Sequence, residues 1–156
     1  MRLEYFDMID GVEELDVERG TIRAIARLPD TSPVFQGHFP AFPTLPGVMM
    51  LEMINHAAGY VLIRRTNATR FVFLGGVKRA KFRRFLRPGT TTTIDARITH
   101  DGSGYAVAEG RLKVGGELAA EAEITMVITD FPEPGLREAF EALLKRTQLA
   151  VAPAGA

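Results

Sequence analysis

The chain has 156 residues, 46% apolar and 24% charged, and its 19 basic side chains are balanced by 19 acidic ones. That length suits one domain with a real core, and the neutral total gives no argument for nucleic acid or an anionic membrane surface, so a charged partner must be read by a local patch. With no cysteine, disulfide frameworks, thiolate nucleophiles and Cys-ligated zinc are excluded.

The N-terminus, Met1 to Gly11, carries Glu4, Asp7 and Asp10 and lacks the apolar core of a secretory signal, so the expected location is the cytoplasm. Residues 12 to 28 read as two strands joined at Glu18-Arg19-Gly20, with Ile22, Ala24, Ala26 and Leu28 alternating against polar positions. Residues 30 to 47 hold Pro33, Gly37, Pro40, Pro43, Pro46 and Gly47, a density that predicts a long loop, and long ordered loops in small domains often carry function. A helix is expected from Pro46, where proline loses no hydrogen bond, to about Arg65. Its apolar stretch, Val48 to Ile63, includes Glu52, Asn55 and His56 and falls short of the roughly 20 residues of a membrane span, so it reads as a buried helix.

Five further strands are expected in "RFVFLGGV", "KRAKFRRFL", "TTTIDARITH", "GYAVAEGRLKV" and "ELAAEAEITMVIT", with turns at Gly75-Gly76, Pro88-Gly89, Asp101-Gly102 and Gly115-Gly116. Beyond Pro132 and Pro134, Leu136, Phe140, Leu143 and Leu144 have helical spacing, and Glu141 with Lys145 makes an i,i+4 pair. This predicts a single domain over residues 1–147, closed by a helix at about 135–147, with residues 148–156 as a disordered tail. A helix apolar nearly all round must be enclosed, and one antiparallel sheet encloses it most economically by curling around it, which gives an α+β fold.

Glu52 lies between Leu51 and Met53, nearly two turns into that helix. Enclosed and without a cationic neighbour, its charged form would be disfavoured and it would become a usable proton donor; the plainer alternative is a carboxyl that faces a solvent gap or makes a structural hydrogen bond. His38 sits between Gly37 and Phe39, before three prolines that stiffen the loop, and histidine is a natural general base near neutral pH, although a lone loop histidine is more often structural. Gly47 and Val48 offer the free N–H groups and positive dipole end of a helix start, where a carbonyl oxygen gaining negative charge is stabilised. Base, acid and oxyanion donors within sixteen residues suit removal of a proton next to a carbonyl and expulsion of a β-substituent.

Gly37-His38-Phe39-Pro40, Pro43, Leu45-Pro46-Gly47-Val48 and Glu52, fourteen residues after the histidine, together resemble the active-site signature of 3-hydroxyacyl-acyl-carrier-protein dehydratases of the FabZ type. "FLGGVKRAKFRRFLRPG", residues 73 to 89, resembles that family's second motif, and the likeness extends over roughly residues 8 to 130. The resemblance implies a hot-dog fold, a long central helix wrapped by an antiparallel sheet. It also implies a homodimer, with a trimer of dimers as a further assembly, whose sites each take the histidine from one subunit and the acid from the other. On that pattern His38 takes the α-proton, Glu52 protonates the departing β-hydroxyl, and the Gly47 and Val48 amides polarise the thioester carbonyl. A (3R)-3-hydroxyacyl group on acyl carrier protein becomes the trans-2-enoyl thioester, with no cofactor or metal, in fatty acid or lipid A acyl-chain biosynthesis.

The chain departs from the family at His56, which stands where glutamine is usual four residues after the acid. Protonated, His56 would keep Glu52 ionised and weaken it as an acid; neutral, it could replace the glutamine as a supporting hydrogen-bond partner. The extension beyond Pro132 could cover a sheet edge or adjust the substrate channel. The acid is glutamate, as in the FabZ type, where the related FabA-type dehydratase-isomerases have aspartate, which argues against isomerisation, and "LEYFDMID" with "HDGSGYAV" resembles a subgroup serving a specialised carrier protein for very-long-chain lipid A acyl groups.

"KRAKFRRFLR" places six basic residues in ten, Lys78, Arg79, Lys81, Arg83, Arg84 and Arg87. As a strand it would put Arg79, Lys81, Arg83 and Arg87 on one face with Phe85, and Ala80, Phe82 and Leu86 on the other. That stripe, joined by Arg64 and Arg65, could receive an acidic carrier protein; a merely solvated face is the alternative, and nucleic acid is disfavoured. Three other functions compete: a non-haem iron site from His38, Glu52 and His56, a hot-dog thioesterase, and a non-catalytic acyl- or carrier-binding dimer.

Overall fold

The computed structural model describes residues 1–146, with side chains described through residue 142. Strands β1 (Gly11–Asp16) and β2 (Thr21–Arg27) form the expected hairpin. Where an unbroken loop was expected, Pro33–Gly37 forms a short helix, α1. The prolines were read as breakers, but Ser32-Pro33 is a helix start: the Ser32 hydroxyl accepts from the Val34 N–H at 3.2 Å and Pro33 occupies the first turn. Helix α2 runs Gly47–Arg65, and Pro46, at φ −55° and ψ 137°, is its N-cap, so the helix begins one position later than the expected start at Pro46.

The rest of the chain is β3 (Phe71–Phe82), β4 (Thr91–Gly102), β5 (Tyr105–Val114), β6 (Glu117–Thr129) and α3 (Pro134–Arg146). The strands make one antiparallel sheet in the order β1-β2-β4-β5-β6-β3. There are thus four strands after α2 and not five, because Gly75-Gly76 is no turn. It lies inside β3 at a bulge, and a Cβ on Gly75 would come within 2.6 Å of Val127 Cγ2, so glycine here permits close approach to β6. The turn between β4 and β5 is made by Ser103 and Gly104, both at positive φ, later than the expected Asp101-Gly102. Gly115-Gly116, at φ 57° and 84°, closes the β5–β6 hairpin as expected.

Helix α2 packs against β2, β3, β4, β5 and β6. Met50, Met53, Ile54, Ala57, Ala58, Val61 and Leu62 are buried against an inner sheet face of Ala24, Ala26, Ile94, Ala96, Ala106, Ala108, Leu112, Ala122 and Ile124. Alanine on so many inward positions lets the helix sit close, and at Gly110 even a methyl is excluded, since a Cβ there would lie 2.2 Å from Ile54 Cγ2. A curled sheet around one long helix is the hot-dog arrangement. The enclosure is one-sided, however: Val48 is 69% exposed, and Leu51, Glu52 and His56 are only partly buried. The expectation of a helix covered all round is corrected accordingly, because five strands, β2 to β6, reach around one side of α2 and leave this stripe open. Among the described residues no helix is long and apolar enough to cross a membrane.

Helix α3 is held through Phe140, whose ring packs 5.5 Å from Phe71 and 5.6 Å from Phe131. Its i,i+4 pair within the described side chains joins Arg137 to Glu141; the Lys145 partner expected for Glu141 and the tail at 148–156 lie outside the described residues.

The outer sheet face carries a row of charges in register, Glu14, Arg23, Asp95, Arg111, Glu121 and Lys81, alternating in sign across all strands. Asp95 accepts from Arg23 Nε and Lys113 Nζ, each at 2.8 Å. Partial burial works against its ionisation, but these two cationic donors outweigh it and hold the carboxyl below its ordinary range.

Two outcomes follow from this packing. Gly110→Ala should cost about 1–3 kcal/mol in urea denaturation by overpacking, whereas Gly135→Ala, with open space around it, should not destabilise; equal midpoints for both variants would contradict the close approach. Asp95→Asn should lose about 1 kcal/mol at pH 7. Because the folded-state value is depressed, that difference is present above the ordinary aspartate range, about 3.9, and should shrink as the pH falls through the folded-state value; a gap that widened in acid would refute the assignment.

Candidate active site

His38 is the C-cap of α1, and its N–H donates to the Val34 carbonyl at 2.9 Å. Its Nδ1 lies 2.9 Å from the Thr44 carbonyl. A carbonyl can only accept, so Nδ1 carries the proton, and in the neutral ring Nε2 is left as the free base. The loop between them turns sharply at Phe39, which sits at φ 54°, and Phe42 N–H donates to the Phe39 carbonyl at 2.7 Å.

Thr44, which sequence reasoning passed over, is what holds this geometry. It is 1% exposed; its hydroxyl donates to the Leu86 carbonyl at 3.1 Å, and the Leu45 N–H donates to the same oxygen at 2.7 Å. The peptide between Thr44 and Leu45 is therefore pinned on one side to Leu86 while its carbonyl faces His38 on the other. A sequence signal existed: Thr44 is the one hydroxyl residue in the proline-rich tract 40–47.

At the start of α2 the Pro46 carbonyl accepts from Met49 N–H at 2.9 Å, while the Gly47 and Val48 N–H groups, one turn too early, have no intrahelical acceptor. Gly47 is packed on the Phe82 ring, which would lie 3.1 Å from any Cβ there. His38, Thr44, Gly47, Met50, Phe82 and Phe85 line one cleft of about 280 Å³, with Arg83 and Arg84 on its wall.

Glu52 stands apart from that cleft, on the open stripe of α2. Its side chain is 25% exposed and is not free of neighbours: Oε2 accepts from Asn55 Nδ2 at 3.1 Å, and Oε1 lies 3.0 Å from His56 Nε2. The sequence expectation of an enclosed carboxyl without such a partner is corrected here. The short contact fits one shared proton in either place, with His56 donating to a carboxylate or the Glu52 hydroxyl donating to a neutral imidazole. Asn55 is a second residue that sequence reasoning missed; it is 8% exposed and its Oδ1 has no hydrogen-bond partner among the described residues. Its position three residues from a carboxylate on one helix was the available signal. Within one chain the structure brings His38 together with Gly47 on one cleft, and Glu52 together with His56, and neither Glu52 nor His56 lines the His38 cleft.

The basic run is not one face of a strand, because β3 ends at Phe82 and Arg83 to Arg87 lie on the following loop. Three of its members are paired with β6 carboxylates: Lys78 with Glu123 at 2.8 Å, Arg83 with Glu121 at 2.6 Å, and Arg84 with Glu117. The Arg83 hydrogen bond holds the Glu121 carboxyl below its ordinary range. Arg87 lies over the Phe42 ring, 4.6 Å from its centroid, while Arg79 and Lys81 point with β3 toward Glu123 and Glu121 in register. Arg65 does not join this patch; it bonds the Val17 and Glu18 carbonyls and Asp101. Among the described residues no three His, Asp or Glu side chains are grouped closely enough to hold a metal ion; His38 and His56 line different clefts, and Glu52 lines neither.

The FabA-like domain family model matches residues 2–123. The 3-hydroxyacyl-[acyl-carrier-protein] dehydratase FabZ of Rickettsia felis is 35% identical over 127 residues, covering 80% of this chain and 87% of that protein. The FabZ of Chlamydia caviae is 34% identical over 128 residues, with 80% and 83% covered. Among solved structures, a hypothetical thioesterase protein from Streptococcus pneumoniae TIGR4, with coenzyme A, superposes with a TM-score of 0.57 at 14% identity, covering 79% of this chain and 88% of that one, a likeness of fold alone.

The Thr44 clamp can be tested without any substrate. Thr44→Val should lose about 1 kcal/mol of stability and should populate a second His38 tautomer in imidazole ¹⁵N NMR, and Thr44→Ser should restore the single Nδ1–H form; an unchanged tautomer in the valine variant would show that the hydroxyl does not set the ring.

Proposed function

The chain belongs to the FabA-like family, in its FabZ-type branch, and we propose that it dehydrates (3R)-3-hydroxyacyl groups on an acyl carrier protein to trans-2-enoyl thioesters. The observation that carries this reading is the His38 imidazole, whose Nδ1–H is committed to the Thr44 carbonyl, leaving Nε2 as base in a cleft shared with the start of α2. Nε2 removes the proton on Cα, and its electron pair forms the Cα–Cβ double bond as the Cβ–O bond breaks. Protonated Glu52 gives its proton to the departing hydroxyl, which leaves as water. Charge growing on the thioester oxygen is stabilised by the Gly47 and Val48 amides. The imidazolium proton then returns to the Glu52 carboxylate through solvent, so acid and base are regenerated and nothing else is consumed.

Because Glu52 does not line the cleft of His38 within one chain, the proposed working unit is a homodimer, itself able to build a trimer of dimers. Each site would combine His38 and the helix-start amides of one protomer with Glu52 of the other. The exposed apolar side chains Val48, Phe73, Val77 and Phe82 support such an interface, as does β3 at the sheet edge, where backbone groups can pair with a second copy. Arg83 and Arg84 on the cleft wall, with Arg79, Lys81 and Arg87 nearby in sequence, would meet an acidic carrier protein. The N-terminal "LEYFDMID" and the β4–β5 "HDGSGYAV" support a finer placement in lipid A acyl-chain synthesis in the cytoplasm.

Mass analysis of a 3-hydroxyacyl-carrier substrate should show loss of water without release of the thiol; thiol release would make the protein a thioesterase. His38→Ala and Glu52→Gln should each lower kcat/KM by at least about 100-fold. Mixing the two inactive variants through unfolding and refolding should regain activity, because a mixed dimer then holds one intact site. A mixture that stays inactive would refute the shared site.

A further inference from the structure

Under the proposed dehydration Glu52 must carry a proton when the substrate arrives. Burial would disfavour a charged carboxyl, but the Glu52 side chain is 25% exposed, so its proton must be kept by a partner. We infer that His56 is that partner, and that the acid of this site is a His56–Glu52 pair holding one proton in common. This rests on the dehydratase reading and makes His56 a positioning residue that acts through Glu52. The geometry confines the proton to one line. His56 Nε2 lies 3.0 Å from Glu52 Oε1, a hydrogen-bond distance for a proton on either atom. Oε2 accepts from Asn55 Nδ2 at 3.1 Å, so a proton on Glu52 belongs on Oε1. Asn55 is 8% exposed and its amide neither takes nor releases a proton, which leaves His56, among the described residues, as the titratable partner the structure gives Glu52.

The other groups that face His56 stand around a cleft of about 460 Å³. The N-terminal turn, Leu3–Tyr5, and its flanks supply Arg2, Tyr5 and Asp7, of which Arg2 and Asp7 pair with each other at 3.4 Å. Helix α2 supplies Tyr60, and the side chains from α3, Ala139, Phe140 and Ala142, carry no charge. In the proposed dimer, His38 of the second protomer approaches Glu52 from the substrate side. Beyond a neutral imidazole and a carboxylate, the pair holds one further proton, as imidazolium beside carboxylate or as Nδ1–H imidazole beside carboxyl. The two forms differ by one movement along the Nε2–Oε1 line. As the Cβ–O bond breaks, Oε1 gives that proton to the departing hydroxyl, water leaves, and neutral imidazole and carboxylate remain. The proton that His38 took from Cα then returns through solvent to the pair. A glutamine at position 56 could donate to the acid but could not hold its proton; an imidazole does both and exchanges protons near neutral pH.

The test compares the pH dependence of kcat/KM in the full-length wild type and in His56→Gln, on one 3-hydroxyacyl-carrier substrate. The alkaline limb should move to lower pH by about one unit or more in the glutamine variant. A histidine that only supports the helix would instead lower the whole profile and leave the limb in place. Imidazole ¹⁵N NMR without substrate, at about pH 7, reads the same proton directly. His56 should carry one proton on Nδ1 and a full or shared one on Nε2 in the wild type and in His38→Ala, and should be largely neutral, with one bare nitrogen, in Glu52→Gln. An alkaline limb that stays where it is in His56→Gln, or a His56 spectrum that is the same with and without the Glu52 carboxyl, would overturn the shared proton. A wild type that removes no water from the substrate would sink the dehydratase reading, while the NMR comparison would still decide the pair.

Discussion

How closely α2 can approach the sheet decides where everything else in this molecule goes. The inner faces of β2, β4, β5 and β6 are dominated by alanine, and at Gly110 the helix side chain Ile54 occupies the volume a Cβ would need. Dense packing on that side fixes the rotation of the helix. Once Met53, Ile54, Ala57 and Val61 face the sheet, Val48, Glu52 and His56 must face away from it. A helix wrapped on all sides would have sealed this carboxyl from solvent, and one-sided seating leaves Glu52 partly exposed.

The two reactive groups are held by different means. His38 is fixed from behind by a run of hydrogen bonds in which the Leu86 carbonyl accepts from Leu45 N–H and the Thr44 carbonyl of the same peptide accepts from Nδ1. Such a chain polarises each member and leaves the ring one tautomer. Glu52 has neighbours that can each rearrange, an amide and an imidazole, and the 3.0 Å contact to His56 accepts a proton on either side. Under the proposed dehydration, the rigid group would be the base and the adaptable one the acid.

Much of the fold was legible in local patterns, and what was not depended on distant partners. Alternation in "TIRAIARL" and the Gly115-Gly116 pair specify their elements without help from the rest of the chain. Gly75-Gly76 reads the same as a turn until Val127 on β6 is known to press against it. The helix looked apolar all round because Val48 and Leu51 share the stripe of Glu52, and composition cannot say whether an apolar residue faces a sheet or another surface. In the site, the sequence grouped His38, the helix start and Glu52 within sixteen residues; His38 and Gly47 share a cleft, whereas Glu52 does not line it, because helix rotation turns it elsewhere. The basic run was visible, but its carboxylate partners lie about forty residues away on β6.

The alternating charges on the outer sheet face constrain how this surface can change. Every charge on an interior strand of that row stands between two opposite neighbours, as Arg23 does between Glu14 and Asp95, and Arg111 between Asp95 and Glu121. Reversing one sign therefore sets two like-charge contacts side by side, and reversing its neighbour repairs only one of them. An end charge, at β1 or β3, has a single neighbour in the row, so a reversal there creates one like-charge contact instead of two, and the interior is the part most constrained to change together.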